Sequence, residues 1–147
     1  MASGWWRHPS KSPGDRMITS DLNATFGYPR ELWDAAKKEG LAILILRARG
    51  GVMIQYGEFA AELHRISFDP HGTEFRNFLG QLSFEEDAAG RGMITAIVVH
   101  KSDGHPGRGF FALARELGRN VDDPEKCWAE EVARVFADWQ PQARAGD

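Results

Sequence analysis

The strongest β-strand candidate in the sequence is the segment MITAIVV at residues 93–99, which is short and rich in isoleucine and valine. One other segment, VMIQY at 52–56, has β-strand character, and it runs directly into a helix-like pattern. Two short strands form only a small sheet, so helices must supply most of the hydrophobic core. The sequence therefore predicts a mainly α protein that carries one small β element.

Helical periodicity covers most of the remaining chain. Asp69 and Asp123 are each followed by proline, which predicts an N-cap with proline in the first helical turn at the start of the third and fifth helices. Apolar residues recurring at helix spacing predict helices at 29–48, at 57–66, from about 70 to 89, at 110–118 and at 123–139.

Length and composition are typical of a soluble globular protein of one domain, with 147 residues, 42% hydrophobic and 27% charged. The apolar run LAILIL at 41–46 is far shorter than the roughly 20 residues needed to cross a bilayer, so we expect no membrane association. The N-terminus lacks the apolar core of a signal peptide, and the single cysteine, Cys127, fits a reducing compartment. These features predict a cytoplasmic protein.

The chain divides into three parts by composition. Residues 1–27 mix proline, glycine, serine and charged residues without a period, which predicts a flexible arm. Residues 28–140 contain all the periodic segments and are expected to form one domain. Residues 141–147 are expected to be a disordered tail.

The order of the predicted elements indicates a fold. Helix, short strand, helix, helix, strand, glycine-rich turn and two further helices is the order of a winged helix-turn-helix core followed by two C-terminal helices. In this fold the strands form a small β-hairpin, and the turn KSDGHPGR at 101–108 is the wing. Lys101 and Arg108 then project into solvent, and the third helix takes the position of the recognition helix.

Three stretches resemble the C-terminal DNA-binding domain of alkylguanine-DNA alkyltransferases and their catalytically inert alkyltransferase-like relatives. QYGEFAAEL at 55–63 is similar to the family's Tyr-Gly-x-x-Ala at the start of its second helix. FRNFLGQL at 75–82 resembles its recognition-helix segment, with an arginine and a following glycine. AIVVHK at 96–101 stands where the family has its Pro-Cys-His-Arg segment.

The resemblance implies a role for several residues. It implies that Arg76 enters the duplex as a finger and that Tyr56 lies near a pocket for a flipped nucleotide. Val99 stands in place of the family's methyl-accepting cysteine. Without a thiolate at this position there is no methyl transfer by the family's mechanism, so we expect a protein that binds nucleic acid without catalysis.

The predicted third helix and wing carry the residues expected to contact duplex DNA. Arg76, Asn77 and Gln81 are expected to approach a groove, where arginine and asparagine side chains contact base edges. Lys101 and Arg108 are expected to contact the phosphate backbone. The formal net charge of -3 gives no global basic field, so such binding requires a local cationic patch.

Two alternatives involve no nucleic acid. Arg76 can instead be paired with Glu74 or Glu85 on a solvated helix face, and the acidic run at 85–87 repels phosphates. The same scaffold is then a protein-interaction module. The aromatic stripe of the last helix offers a surface for a protein partner or a homodimer, through Trp128, Phe136 and Trp139.

A small enzyme that uses His100 with an acid is a further alternative. It requires a pocket that contains His100, with Tyr56 or Arg76, beside the turn that carries His105. The histidines at 71, 100 and 105 match no tight metal-binding spacing, and the glycine-rich turn lacks a phosphate-loop pattern. We therefore expect no metal and no cofactor, and a non-enzymatic protein rather than an enzyme.

Overall fold

The computed structural model describes residues 21–141; the predicted arm up to residue 20 and the predicted tail from 142 lie outside the described residues. The described chain is mainly helical, as predicted, with a small sheet of two strands. A 3-10 turn at Asp21–Asn23 precedes the main elements, which are α1 (Arg30–Arg49), β1 (Ile54–Gln55), α2 (Tyr56–Glu62), α3 (Thr73–Ala88), β2 (Val98–Val99), α4 (Arg108–Glu116) and α5 (Pro124–Trp139).

Helix α1 confirms the prediction for 29–48 within one residue at each end. Its glycine, Gly40, is buried, and a Cβ there would lie 3.2 Å from the ring carbons of both Phe59 and Phe78. The glycine costs helix propensity but permits a close approach of α1 to the aromatic core. No helix within residues 21–141 has both the length and the apolar character needed to span a membrane.

An aromatic cluster forms the centre of the core. Phe78 of α3 is fully buried, and its ring centroid lies 5.5 Å from that of Trp33 on α1 and 4.7 Å from that of Phe68. Phe59 of α2 and Phe75 of α3 complete the cluster. Aromatic side chains bury large apolar areas, so this cluster holds α1, α2 and α3 together.

The packed chain begins before the predicted boundary at residue 28. The carbonyl oxygen of Ala24 accepts a hydrogen bond from the side chain of Gln81 at 2.8 Å. The rings of Phe26 and Tyr28 lie 5.7 and 5.9 Å from that of Trp33. Residues from 24 onward therefore cover the N-terminal end of α1.

The two strands are parallel, with Ile54 opposite Val98 and Gln55 opposite Val99. The predicted β-hairpin is therefore wrong. Helices α2 and α3 lie between the strands, and a crossover through helices joins parallel strands, whereas a hairpin turn joins antiparallel ones. The turn at 101–108 leads from β2 into α4 and does not connect two paired strands.

The segment predicted as the main strand, 93–99, is mostly helical. Ile94–Ile97 forms a 3-10 helix, and only β2 remains extended. Side chains satisfy the backbone of this buried segment: the N–H of Thr95 donates to Oγ of Ser83 at 3.0 Å. The prediction was wrong because a short buried apolar run has no periodicity that separates strand from helix.

One of the two predicted N-caps is confirmed. Asp123 accepts a hydrogen bond from the N–H of Lys126 at 3.2 Å, and proline follows at the first position of α5. Asp69 does not cap α3, which begins at Thr73 after Gly72. Its carboxylate accepts from the N–H of His71 at 3.0 Å, forming a local turn that competes with capping.

Arg119, between α4 and α5, is the centre of a partly buried ion-pair network. Its guanidinium donates two hydrogen bonds to the carboxylate of Glu131 on α5, at 3.1 and 2.7 Å, and one to Asp87 on α3. Glu131 also accepts from the N–H of Met93 at 2.8 Å. The network links α5 to α3 and to the segment before β2.

Candidate functional site

The end of the parallel sheet places two rings in contact. Tyr56 directly follows β1 and His100 directly follows β2, and the register pairs the preceding residues, Gln55 and Val99. The two side chains therefore leave neighbouring strands side by side. Their ring centroids are 4.3 Å apart with an interplanar angle of 7°, which is a stacked arrangement.

The loop at 100–107 folds back onto this stack. Gly107 donates its N–H to Oη of Tyr56 at 3.2 Å. A Cβ on Gly107 would lie 3.1 Å from Nε2 of His100 and 3.2 Å from Oη of Tyr56, so the close approach requires glycine. Burial raises the pKa of Tyr56, although the Gly107 N–H and the charge of Arg76 act in the opposite direction.

Arg76 lies on the first part of α3 and is exposed. Its aliphatic stem packs against the first turn of α4, where a Cβ on Gly109 would lie 3.4 Å from its Cγ and Cδ. The predicted alternative pairing does not occur, because Arg76 makes no ion pair with Glu74 or Glu85. The charge of its guanidinium acts to lower the pKa of Tyr56, although burial has the larger effect and raises it.

Two further cations are chain neighbours of residues that form the stack or contact it. Lys101 follows His100 at the start of the loop, and Arg108 is the first residue of α4. Both are exposed, as predicted, and within residues 21–141 neither forms an ion pair. We use the term Arg76 face for Tyr56, Arg76 and His100 together with these two neighbouring cations, Lys101 and Arg108.

The acidic run on α3 lies at the other end of the helix from Arg76 and is neutralised by ion pairs. Glu85 pairs with Lys37 at 2.5 Å, and Glu86 pairs with Arg91 at 2.7 Å. The third acid of the run belongs to the Arg119 network. These carboxylates are therefore engaged by cations of the same chain, and none of them pairs with the Arg76 face.

The prediction that Asn77 and Gln81 face solvent is wrong. Gln81 is fully buried and accepts a hydrogen bond from the indole N–H of Trp33 at 2.8 Å. Asn77 is 8% exposed, and its amide donates to the carbonyl oxygen of Thr73 at 2.9 Å. Buried polar groups need such partners, so both side chains belong to the interior and not to a solvent-facing surface.

His105 is tied to its surroundings on three sides. Its Nδ1 donates to the carbonyl oxygen of Asp103 at 2.8 Å, and its Nε2 bonds to the carboxylate of Glu125 on α5. The ring also lies 4.8 Å from that of Trp128. His105 was predicted as a candidate site residue, whereas its partner Glu125 was not, because their proximity depends on how α5 packs against the loop.

The geometry around His100 bears on the enzyme and metal alternatives. His100 does lie against Tyr56, as that enzyme would require, but none of the described residues gives its ring a hydrogen-bonded carboxylate partner. Between residues 21 and 141, no three His, Cys, Asp or Glu side chains come together in a way that would hold a metal ion.

An apolar groove lies on another part of the surface, between α5 and the residue that precedes β1. Its volume is about 320 Å³. Two of the three residues predicted for a protein interface, Trp128 and Phe136, line the groove, and Trp139 does not. The guanidinium of Arg91 instead lies over the indole ring of Trp139, 5.1 Å from the ring centroid. The remaining lining residues are Met53, Ala129, Val132 and Ala133.

The sequence missed the part played by Gly107 and Gly109, whose lack of a side chain admits the stack and the Arg76 stem. The signal that could have found them is the pair of glycines at the end of the loop and the start of α4, because glycine allows a close backbone approach. No family model, curated protein or solved structure matches this chain.

Proposed function

We propose that the protein binds nucleic acid, with duplex DNA as the first candidate, through the Arg76 face and without catalysis. The observation that carries this proposal is the position of three exposed cations without ion-pair partners among residues 21–141, next to a stacked pair of aromatic rings. Phosphate groups bind arginine and lysine, and rings of this kind accept an unstacked base. The face thus offers both kinds of contact that a nucleic acid needs.

The burial of α3 limits which of its residues can contact a nucleic acid. The middle of this helix is enclosed, including Asn77 and Gln81, so α3 does not lie along a groove as a winged-helix recognition helix does. Arg76 near its N-terminal end is exposed and is proposed to contact bases or the groove edge. Lys101 and Arg108 are proposed to contact phosphates on either side.

The proposed alkyltransferase-like relationship agrees with binding and not with group transfer. Val99 is 6% exposed and offers no nucleophile. The only thiol of the chain, Cys127, is buried in α5, and burial raises the pKa of this thiol. A methyl acceptor of that family acts as a thiolate, so we propose recognition of DNA structure or of a modified base.

The substitution Arg76→Ala tests the proposal. It is expected to weaken DNA binding by about 5- to 150-fold, which corresponds to about 1–3 kcal/mol for a base-contacting arginine. Fluorescence anisotropy with duplex, single-stranded and alkylated DNA at two salt concentrations measures the effect. Lys38→Ala is the matched control. Lys38 is an exposed cation of α1, and its chain neighbour Lys37 pairs with Glu85 at the end of α3 that is remote from Arg76.

Two results would contradict the proposal. One is the absence of measurable binding to any of these nucleic acids at low salt. The other is an equal loss of affinity in Arg76→Ala and Lys38→Ala, which would indicate a diffuse charge effect.

Substituting Lys101 or Arg108 is expected to lower the salt dependence of binding, because each lost phosphate contact removes about one released counterion.

The apolar groove supports a second candidate function, which is self-association. Trp128 and Phe136 are only partly buried, and the exposed alanines Ala129 and Ala133 lie between them on α5. In a two-fold dimer the same patch of both copies meets itself, so the rings of one copy would pack against the small residues of the other. We propose that a second copy of the chain covers this groove.

Ala133→Glu tests self-association, because a charge placed in a desolvated contact opposes it. Sedimentation velocity over a range of protein concentrations is expected to show a dimer for the unmodified chain and a monomer for the variant. A monomer at every concentration for the unmodified chain contradicts this second candidate and leaves the nucleic-acid proposal unaffected.

A further inference from the structure

The hydrogen bonds of His105 require both of its ring nitrogens to carry a proton. Nδ1 faces the carbonyl oxygen of Asp103, and Nε2 faces the carboxylate of Glu125. Both oxygens are acceptors, and a neutral imidazole has only one N–H. Only the imidazolium form satisfies both contacts, so loss of a proton turns one of them into two facing lone pairs.

The main chain of His105 closes the loop at 100–107. Its carbonyl oxygen accepts from the N–H of His100 at 2.8 Å, and its own N–H donates to the side chain of Asp103 at 3.0 Å. Gly104, with a φ of 71°, makes the turn between them and donates to the carbonyl oxygen of His100 at 2.9 Å. The position of His105 is therefore coupled to that of the loop at 100–107.

The same side chain is the tie between this loop and α5. Glu125 lies in the first turn of α5, and Trp128 contacts the ring one turn later. The charged groups that act on the ring are both acids, Asp103 from the loop and Glu125 from α5. About 40% of the His105 side chain is exposed, so protons exchange with solvent without unfolding.

We propose that His105 is a proton-dependent latch that holds the loop at 100–107 against α5 and thereby regulates the Arg76 face. The regulatory part of this inference rests on the proposed nucleic-acid function, whereas the latch itself does not. In the closed state Lys101 and the Gly107 contact to Tyr56 are fixed in place. In the open state one of the two ring contacts is lost, so the loop is held less firmly against α5 and those groups become more mobile.

The direction of the pH effect follows from the contacts. The bond to the Asp103 carbonyl raises the pKa of His105 most, followed by the bond to Glu125. A folded-state pKa above the ordinary value of 6.5 means that the latch is closed below that value and is lost as the pH rises through the folded-state pKa. The transition therefore lies above the ordinary histidine value of 6.5.

An NMR titration of the full chain, without nucleic acid, tests the latch. The imidazole nitrogen shifts of His105 are expected to report a pKa above 6.5, and Glu125→Gln is expected to move that pKa down. Exchange of the His100 amide, corrected for its intrinsic pH dependence, is expected to lose protection as His105 deprotonates. In His105→Gln the protection is expected to stay at the open-state level at every pH.

His71→Gln is the control for this titration, because His71 is an exposed histidine on the segment before α3 and lies outside the loop. This variant is expected to keep the wild-type pH response. A His105 pKa at or below 6.5, or loop protection that does not change with pH, overturns the latch.

Nucleic-acid affinity, measured at pH values on both sides of the His105 pKa, separates the two proposals. A pH-dependent change in affinity that disappears in His105→Gln supports regulation of the Arg76 face. If the loop opens as expected but the chain binds no nucleic acid, the latch is supported and the proposed function is contradicted. Binding with no change across the transition removes the regulatory role.

Discussion

Replacing Arg119 by methionine is expected to lower the free energy of unfolding by about 3–5 kcal/mol, because it leaves a buried carboxylate without its counterion. The side chain of Glu131 is 6% exposed and that of Arg119 is 15% exposed, so water does not replace the lost partner. The N–H of Met93 still donates to the carboxylate of Glu131 in this variant, but it carries no charge. Urea unfolding at neutral pH, followed by tryptophan fluorescence, measures the loss.

The loss is expected to depend on pH in a defined direction. Burial alone would raise the pKa of Glu131, but the bonds from Arg119 and Met93 lower it below its ordinary value of 4.5. In the unmodified protein this stabilisation is present above 4.5 and is lost as the pH falls through the folded-state pKa. In the variant burial prevails, so acid neutralises the orphaned carboxylate and the deficit becomes smaller.

Arg115→Met is the matched control, because Arg115 is an exposed arginine of α4 without an ion pair within the described chain. Its unfolding free energy is expected to stay within about 0.5 kcal/mol of the unmodified protein. Equal losses in the two variants, or a deficit in Arg119→Met that grows in acid, would contradict the assignment of Arg119 as the counterion of a buried acid.

Replacing Phe78 by alanine is expected to cost about 3–5 kcal/mol of unfolding free energy. The ring is fully buried at the meeting point of α1, α2 and α3, where it contacts the rings of Trp33 and Phe68 and the site of Gly40. The neighbouring rings belong to different elements and cannot close the resulting cavity without moving whole helices.

Thermal and urea unfolding of Phe78→Ala measure this cost, and Leu46→Ala is the control. Leu46 lies on α1 and is 71% exposed, so its truncation removes little buried area and is expected to change stability by less than about 0.5 kcal/mol. A small effect of Phe78→Ala, similar to that of Leu46→Ala, would show that the aromatic cluster is not the centre of the core.

The helices were predictable because local signals and packing agree in them. Helix α1 follows Pro29 and ends at Gly50, and α5 has an aspartate cap followed by proline, so start, stop and apolar period were all visible in the sequence. The 3-10 helix at Ile94–Ile97 was not predictable, since its backbone bonds to side chains that arrive from α3 and α5. The parallel pairing of the strands was likewise not predictable, because no local sequence pattern encodes it.

The candidate site was predictable in its residues more than in its arrangement. Tyr56, Arg76 and His100 were singled out from sequence, and the structure brings them together at the end of the sheet. Asn77 and Gln81 were misassigned because a polar residue on a helix is taken to face solvent, whereas here tertiary partners satisfy both amides inside the core. Burial of such groups depends on which elements pack nearby. The sequence of a single segment does not contain that information.

The parallel pairing of β1 and β2 has a consequence for when the Tyr56–His100 stack appears. Pairing the two strands closes the chain segment that contains α2 and α3, and such distant contacts carry a loop-closure cost that local helices avoid. Nascent helical structure alone leaves the two rings apart. The stack therefore requires this long-range contact, and the Arg76 face exists only where the two strands have paired.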